Sequence, residues 1–578
     1  MGYLKRYFKK YWKIFLLAVL FLTGEAMCDL LQPTIMSRII DVGVKNKDIN
    51  YVIGKGGTMI LVAFLGAIAA SARNIIASNV SQRFGAELRL DLFKKVNTLS
   101  FDNMNKFEGA TLVTRLTNDV TQVQNFFAGM MRIFAKAPIL CVGSVIMAVS
   151  LNPRMSLILI AVIPLVAFII SMNMKVGYPF FIRVQKALDT LNSVMREYLS
   201  GVRVVKAFNR FEYEVGRFHT KNEELSSASV SANRVSAVFS PAVTLVVNLG
   251  VIAVLWLGGI GVNNGGMKVG QTIAFINYMT QILFSLNIIS NVFNQFIRAK
   301  ASSERIGQVF NEENTIEVLS EPISPEAKTG KVDFENVCFA YKGSSGELAI
   351  KNINLVCESG ETVGIIGSTG SGKSSLANLI PRFYDVTSGL VKVDDVNVKD
   401  MDPKALREKI AVVPQKTVLF TGTIKENILW GKENATDEEV EMAAKMAQAH
   451  EFISRTPEGY ETKLGQGGVN LSGGQKQRMA IARALIRKPE ILILDDCTSA
   501  VDVATEARIK ENLKNYSKGL TTVIIAQRIT SVMDSDKIIV LDQGEIVGMG
   551  THEELVKSCQ IYREIFYSQI GQEVAANG

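Results

Sequence analysis

The sequence predicts an all-α domain of six membrane-spanning helices followed by an α/β domain. Three observations lead to this fold class. Six apolar stretches lie before residue 300, the later sequence is more polar, and a glycine-rich turn there directly follows an apolar strand. At 578 residues the chain is also too long for one compact core, since domains usually have about 100 to 200 residues. We therefore expect a transmembrane domain at 1–316, a linker at 317–331 and an α/β domain at 332–578.

The six apolar stretches are each long enough to cross a bilayer, which takes about 20 largely apolar residues. The first stretch could be misread as a signal peptide, because five basic residues precede the short run 14–22. No A-x-A cleavage site follows, however, and the apolar character resumes after Glu25 and Asp29. We therefore interpret it as the first span. The predicted spans are 14–40, 57–80, 127–150, 155–178, 236–262 and 269–295.

Basic residues in the connections predict the orientation of the spans. The segments 1–13, 81–126 and 179–235 hold 20 Lys and Arg, whereas the three alternate connections hold five. Basic residues favour the cytoplasmic side, so we expect the N-terminus, both long loops and the α/β domain in the cytoplasm. Periodic apolar residues in the two long loops indicate helices that extend the spans into the cytosol.

The charge balance changes along the chain. Residues 1–330 carry 34 Lys and Arg against 21 Asp and Glu, whereas 331–578 carry 29 against 34. The basic residues lie between apolar runs, which favours a membrane surface over nucleic acid as their partner. The six cysteines are scattered without metal-ligand spacing, so neither a metal site nor a disulfide framework is expected.

Four charged residues fall within or near the predicted spans: Glu25, Asp29, Arg73 and Lys136. An unpaired charge there costs at least a few kcal/mol, so something must compensate it. A polar translocation cavity remains open as one interpretation, and ion pairing between helices or snorkelling to the interface as the other. Glu25 and Asp29 fit the cavity better, because their i, i+4 spacing places them on one helix face.

The α/β domain contains the pattern G-x-x-x-x-G-K-[ST] directly after the apolar strand 362–366, which is typical of a P-loop. Its glycines let backbone N–H groups converge on phosphates, the lysine neutralises phosphate oxygens and the serine supplies an oxygen to Mg²⁺. The pattern therefore predicts a site for a nucleoside triphosphate and Mg²⁺. The residues of this loop are Gly367, Ser368, Thr369, Gly370, Ser371, Gly372, Lys373, Ser374 and Ser375.

Two later segments add a second Mg²⁺ ligand and a second anion-binding loop to this prediction. The apolar run 491–494 reads as a buried strand and ends in Asp495, a carboxylate suited to holding Mg²⁺. About a hundred residues after the first loop, a second glycine-rich loop opens another helix and provides a second anion-binding device. One nucleotide hardly needs two such devices, which suggests that two chains enclose each nucleotide. The second loop consists of Leu471, Ser472, Gly473, Gly474 and Gln475.

With these motifs the chain resembles ABC exporter half-transporters over essentially its whole length, with a P-loop ABC nucleotide-binding domain. The resemblance assigns the signature loop to 471–475 and implies that Gln415 contributes to the Mg²⁺ and catalytic site. It places Tyr341 where an aromatic ring stacks on adenine, although an ordinary strand tyrosine remains an alternative. It also implies that 112–119 and 201–208 are coupling segments, and that Ile424 and Leu429 form the surface receiving the loop tips.

The chain departs from this family at two catalytic positions. The resemblance makes Asp495 the Walker B aspartate. The family usually has a glutamate after it, whereas this chain has Asp496, whose carboxylate is one methylene shorter. The family's switch histidine is replaced by Gln527, which lacks the charge and proton exchange of imidazole. Together with the intact signature loop, these changes predict a degenerate site that hydrolyses ATP poorly.

The resemblance to the degenerate-site subunits of bacterial heterodimeric multidrug exporters implies a function. We expect ATP-driven export of small lipophilic compounds across the cytoplasmic membrane, together with a complementary ABC half-transporter and with no nucleic-acid partner. An importer is disfavoured, because its membrane and ATPase parts are normally separate chains. An ATP-gated channel or a regulatory ABC protein remains the alternative, since a site that hydrolyses poorly also suits regulation.

Overall fold

The structure is a computed structural model that describes residues 2–317, 319, 321–323, 329–342, 346–516 and 519–576, without the side chains of 240, 290, 291, 293, 294, 516 and 570–576. Residues 318, 320 and 324–328 of the predicted linker thus lie outside the described residues. The chain divides into two compact units. The membrane unit comprises Met1–Asn97 and Gly109–Glu312, and the α/β unit comprises Thr98–Glu108 and Glu313–Gly578.

The membrane unit consists of long helices, and in the described part of the chain six are long and apolar enough to cross a membrane. The fourth has 51 residues and is about 75 Å long at 1.5 Å per residue, whereas a bilayer core is about 30 Å thick. The expected helical extension of the spans through the long loops is therefore confirmed. The helices are Gly2–Val44, Ile49–Thr98, Gly109–Leu151, Leu157–Ala207, Phe211–Asn263 and Val269–Asn311.

Polar contacts fix the sixth helix against the first. Tyr278 is fully buried, and its hydroxyl lies 2.6 Å from the carbonyl of Leu30, to which it donates, and 2.7 Å from the hydroxyl of Thr34. Closer to the C-terminal end of the first helix, Asp41 accepts a hydrogen bond of 2.6 Å from the backbone N–H of Gly270. Because the first N–H groups of a helix lack intrahelical partners, this carboxylate stabilises the start of the sixth helix.

The intramembrane charges pair with one another. Lys136 Nζ lies 2.5 Å from Glu25 Oε1 and 2.9 Å from Asp29 Oδ2, and Arg73 Nε lies 2.8 Å from Glu25 Oε2. Arg73 also donates to the backbone carbonyl of Arg132, which lies in the π-helical turn Met130–Phe134. The structure thus supports the interpretation of ion pairing between helices, and this pairing joins the first three spans.

The α/β unit is built on a six-stranded sheet of order β12-β11-β3-β10-β9-β6, parallel except at β12. A second, antiparallel sheet has the order β2-β1-β4-β5, and β7 pairs with β8. The strands are β1 Val332–Phe339, β2 Ile350–Cys357, β3 Thr362–Gly367, β4 Ser388–Val393, β5 Val396–Asn397, β6 Ile410–Val413, β7 Gly422–Thr423, β8 Lys463–Leu464, β9 Ile491–Asp495, β10 Thr521–Ile525, β11 Lys537–Asp542 and β12 Glu545–Gly550.

The apolar run of β9 is buried on both faces of the sheet. Ile491 and Ile493 belong to the core shared with the antiparallel sheet, whereas Leu492 and Leu494 belong to the core shared with the helix Gly473–Leu485. Successive side chains of a strand point to opposite faces, so a strand between two cores must be apolar throughout. The predicted strands at 362–366 and 491–494 are thereby confirmed as β3 and β9.

Short helices surround these two sheets. Helix Gly473–Leu485 begins with a capping box, in which Ser472 and Gln475 each accept a hydrogen bond from the other's backbone N–H. The helices of the α/β unit are Phe101–Lys106, Lys373–Leu379, Pro403–Lys409, Ile424–Leu429, Asp437–Met446, His450–Ser454, Gly473–Leu485, Val503–Tyr516, His552–Ser558 and Gln560–Ala576, with 3₁₀ turns at Gly459–Glu461, Gln466–Gly468 and Ile529–Ser531.

The helix Phe101–Lys106, here called the loop helix, comes from the first long loop but packs within the α/β unit. The ring of Phe101 lies 4.9 Å from that of Phe383 and 6.1 Å from that of Tyr384. Asn105 Nδ2 donates to the Tyr384 hydroxyl at 3.3 Å. Such aromatic contacts contribute about 0.5 to 1.5 kcal/mol each beyond the area that they bury.

The expected coupling segment at 112–119 is therefore misplaced: the part of the first long loop that joins the α/β unit is 98–108. Asp119 lies in the membrane unit instead, where it is 2% exposed. It accepts hydrogen bonds of 2.9 Å from Ser302 Oγ and 2.8 Å from Arg305 Nε. Sequence similarity pointed to this segment, but its buried carboxylate stabilises contact between the third and sixth helices.

Candidate functional site

The phosphate loop, residues 367–375, connects β3 to the helix Lys373–Leu379. Gly370 and Gly372 have φ values of +84° and +97°, a region that residues with a side chain rarely adopt. A Cβ atom at Gly372 would also lie 2.6 Å from the carbonyl oxygen of Ala349. Glycine is therefore required here, and the loop can turn its N–H groups inward at the start of the helix.

The side chain of Lys373 is held against the first residues of its own loop. Its Nζ donates hydrogen bonds of 2.9 Å to the carbonyl of Gly367 and 2.7 Å to the carbonyl of Ser368. Burial lowers the pKa of Lys373, while the nearby carboxylates Asp495 and Asp496 oppose that shift. A buried ammonium group in a loop of N–H donors is suited to a multiply charged anion.

A phosphate group also fits the hydrogen-bonding needs of this loop. Ser371 is 1% exposed, and within the described residues its Oγ has no hydrogen-bond partner. Leaving a buried hydroxyl unsatisfied costs about 1 to 3 kcal/mol. An oxygen-rich anion next to the Lys373 ammonium would offer acceptors for such donors. The residues present therefore fit the triphosphate that the sequence pattern predicts.

Parallel pairing brings four strand ends together beside this loop. Ile525 of β10 is level with Ile365 of β3 and with Asp495 of β9, and Leu494 of β9 is level with Val413 of β6. In parallel α/β sheets, ligands bind outside these carboxyl ends. The sequence-predicted residues Gln415, Asp495, Asp496 and Gln527 each follow or end one of these strands.

Asp495 and Ser374 are in direct contact. Ser374 Oγ donates to Asp495 Oδ1 at 3.1 Å. Burial raises the pKa of Asp495, the hydrogen bond from Ser374 lowers it, and the neighbouring Asp496 carboxylate raises it further. Oxygen ligands of this kind, a hydroxyl and a carboxylate, are those that Mg²⁺ prefers.

Asp496 has a constrained backbone and one side-chain partner at the site. Its φ is +45°, a conformation in which aspartate is tolerated better than most residues, and its N–H donates to Ile525 O at 2.8 Å. Gln415 Nε2 donates to Asp496 Oδ2 at 3.2 Å. The structure therefore brings together two residues that are 81 positions apart in the sequence.

Tyr341 lies just beyond β1, next to the phosphate loop. Its hydroxyl is 2.9 Å from Ser375 Oγ, and its ring makes edge contacts with Phe339 at 4.8 Å and Tyr384 at 5.2 Å. These contacts fix the orientation of the ring beside the first turn of the phosphate-loop helix. They are compatible with adenine stacking and equally with a packed strand-end tyrosine.

The signature loop, residues 471–475, is organised around its own helix. Ser472 and Gly473 are exposed, so the start of the helix is accessible to solvent. A Cβ atom at Gly474 would lie 2.6 Å from the carbonyl oxygen of Ala500. Gln477 ties this helix to the segment after β9, because its Oε1 accepts from Ala500 N at 2.9 Å and its Nε2 donates to Ser499 Oγ at 3.2 Å.

The expectation that Ile424 lies on the docking surface is wrong. Ile424 is fully buried in the core of the α/β unit, and Leu429 packs against that core. The residues that meet a loop helix are instead Phe383 and Tyr384. Sequence reasoning missed them because two aromatic residues between a helix and a strand give no local signal of docking.

Comparison with known proteins now identifies the family. The family described as the ABC transporter transmembrane region matches residues 15–286, and the family described as ABC transporter matches residues 350–499. YfiB of Bacillus subtilis (strain 168), an uncharacterised ABC transporter ATP-binding protein, is 40% identical over 557 residues, 96% of each chain. The chain belongs to the ABC exporter half-transporters.

A further relative and a solved structure are also similar to this chain. The ABC half-transporter is 32% identical over 508 residues to an ATP-dependent lipid A-core flippase of Syntrophus aciditrophicus (strain SB), covering 87% of this chain and 84% of the flippase. Its fold matches a bacterial Atm1-family ABC exporter with ATP bound, with a TM-score of 0.81, 24% identity, and coverage of 97% and 98% of the two chains. The half-transporter is thus a multi-pass membrane protein with an ABC ATPase domain.

Proposed function

We propose that this half-transporter exports hydrophobic or amphipathic compounds, such as drugs or lipids, across the cytoplasmic membrane as one half of a heterodimer. The observation that carries the proposal is an intact signature loop on a chain whose own catalytic positions hold Asp496 and Gln527. One chain then supplies its signature loop to the partner's competent site. The partner supplies its own loop to this chain's weaker site.

At this chain's site, Lys373 would bind the β- and γ-phosphates of ATP, while Ser374, Gln415 and Asp495 would hold Mg²⁺. The ion neutralises charge that develops on the transferred phosphoryl group. The contact between Ser374 and Asp495 supports this assignment, because both oxygens already lie 3.1 Å apart. The remaining loop residues would cradle the phosphates through their N–H groups, and Tyr341 would stack on adenine.

Hydrolysis at this site is expected to be weak for a geometric reason. The Asp496 carboxylate is one methylene shorter than the family's glutamate, and a misplacement of about 1 Å can reduce a positioned reaction about 100-fold. One of its oxygens also accepts a hydrogen bond of 3.2 Å from Gln415. Both features disfavour polarisation of an attacking water by this residue.

An exposed aromatic tip on the second long loop supports the need for a second chain. Phe208, Phe211 and Tyr213 are 74%, 62% and 63% exposed. Clustered apolar surface of this kind typically marks a protein interface. In the proposed heterodimer, this tip would be covered by the partner.

ATP binding would close the two nucleotide-binding domains and turn the spans from inward-facing to outward-facing. Hydrolysis would reset them, so the binding energy of ATP is converted into alternating access. The loop helix is suited to transmit this closure, because the long loop places it against Phe383 and Tyr384.

The orientation is tested by labelling introduced cysteines in intact cells with a membrane-impermeant thiol reagent. We expect Lys47→Cys and Asn264→Cys to react from outside, and Glu223→Cys to react only after the cells are opened. The reason is that the segments predicted to be cytoplasmic hold 20 Lys and Arg, whereas the connections predicted to be outside hold five. The cysteine-free parent is the control, and the reverse labelling pattern would contradict the proposed topology.

Transport itself is tested in inside-out vesicles that contain this chain and its partner. We expect ATP-dependent accumulation of some members of a panel of lipophilic cations, lipids and peptides. Fluorescent lipids belong in the panel because a relative is a lipid A-core flippase. Ionic current without accumulation would favour the alternative, an ATP-gated channel.

A further inference from the structure

One side chain of the C-terminal helix, Gln560–Ala576, hydrogen-bonds to the segment that carries Gln527. Gln569 Nε2 donates to the backbone carbonyl of Gln527 at 2.9 Å. The Oε1 of the same amide accepts from the backbone N–H of Ile529 at 2.8 Å. Ile529 begins a 3₁₀ turn, so this bond satisfies one of its otherwise unpaired N–H groups. A single glutamine side chain thus binds the backbone on both sides of Arg528.

The same helix is anchored by a core that it shares with this segment. Tyr562, which is fully buried, belongs to one apolar cluster with Ala526, Ile529 and Val532, and Phe566 packs against it. The Tyr562 hydroxyl is 2.7 Å from His552 Nδ1. The C-terminal helix is therefore a packed element of the α/β unit, which gives Gln569 a defined position.

Strand register places this segment beside the phosphate loop. Ile525 is level with Ile365, and β10 runs parallel to β3. Gln527 and Gly367 each lie two residues beyond this pair, so Gln527 follows the end of β10 and Gly367 ends the adjacent β3. The backbone at Gln527 consequently determines whether its amide side chain can reach a γ-phosphate bound by the loop.

We propose that Gln569 is a positioning residue, which holds the Gln527 backbone so that the Gln527 amide contacts the γ-phosphate of ATP. This inference rests on the proposed function, in which Gln527 occupies the switch position. The same anchoring extends further along the site. Arg528 Nη2 donates to Ser499 O at 3.1 Å, and Ser499 Oγ donates to Asp496 O at 3.1 Å.

The test compares nucleotides with and without a γ-phosphate on the purified full chain in lipid nanodiscs. We expect Gln569→Met to weaken binding of the slowly hydrolysed analogue AMP-PNP about 5- to 10-fold, as loss of the one hydrogen bond between the Gln527 amide and the γ-phosphate would. Its affinity for ADP should be unchanged. Gln569→Glu keeps the acceptor for Ile529 but cannot donate to Gln527, so it should weaken AMP-PNP binding in the same way.

Gln560→Met is the matched control, because Gln560 lies on the same helix and its side-chain amide donates to Glu564 at 2.9 Å. It should change neither affinity. Gln527→Ala separates this inference from the proposed function. If Gln527→Ala reduces the preference for AMP-PNP over ADP and both Gln569 variants do not, the positioning role is wrong. If Gln527→Ala leaves that preference unchanged, the switch assignment fails and the positioning role fails with it.

Discussion

Replacing Ser472 with arginine is expected to reduce ATP turnover of the assembled heterodimer by about 100-fold or more. Ser472 caps the helix Gly473–Leu485 and is exposed at its start, where it would face the nucleotide bound by the partner chain. In the proposed arrangement that partner site is the competent one. Removing one preorganised donor from a reacting phosphate or acyl group typically costs about 100- to 1,000-fold, and a bulky side chain would also hinder closure.

The matched variant is Asp496→Asn in the same heterodimer. Asparagine keeps the size of the side chain and can tolerate the φ of +45° at this position. Because little hydrolysis is expected at this chain's own site, the loss of turnover should be less than about 3-fold, far below the effect of arginine at Ser472. Steady-state ATPase rates decide the matter. If Asp496→Asn eliminates turnover and Ser472→Arg retains it, the assignment of the competent and the weak site to the two chains is wrong.

The chain expressed alone provides a second check on the same assignment. It should bind ATP but hydrolyse it slowly, because each complete site needs a phosphate loop and a signature loop from different chains. A homodimer with full, substrate-stimulated turnover would contradict the need for a different partner. ATPase rates with and without lipophilic compounds distinguish these outcomes.

Features of the fold that depend on local pattern could be predicted from the sequence. Bilayer thickness fixes the length of a span, so hydropathy alone located all six helices. Burial on both faces forces the run 491–494 to be apolar, and a phosphate loop needs glycine at positions such as Gly372. In each case the physical requirement acts on neighbouring residues and so is visible in the sequence.

Contacts between distant elements could not be predicted in this way. The rotation and register of packed elements decide that Gln415 meets Asp496 and that the loop helix meets Tyr384. The error at Ile424 has the same origin, since an apolar residue after a loop fits a docking surface and a core equally well. The sequence around Gln569 likewise contains no motif that predicts a role for it. Only the fold shows that its amide contacts Gln527 and Ile529.

The partners of the intramembrane charges also could not be predicted from local pattern. Spacing on the first span favoured a cavity role for Glu25, but the structure places Arg73 and Lys136 against its two oxygens. The side chains of Glu25 and Arg73 are only 10% and 8% exposed. Breaking a buried ion pair by removing one partner usually costs about 3 to 5 kcal/mol, because the other charge stays buried and uncompensated.

Glu25→Gln should therefore destabilise the membrane unit by about 3 to 5 kcal/mol, since Arg73 loses its carboxylate while Lys136 keeps Asp29. Glu223→Gln, at an exposed position, should stay within about 0.5 kcal/mol of the parent chain. Thermal or denaturant unfolding of the purified chain in detergent measures both. The double variant Glu25→Gln/Arg73→Met should recover part of the loss, because it removes the uncompensated charge. If Glu25→Gln leaves stability unchanged, the ion pairs do not hold the first three spans together. That result would favour the interpretation that Glu25 lines a translocation cavity.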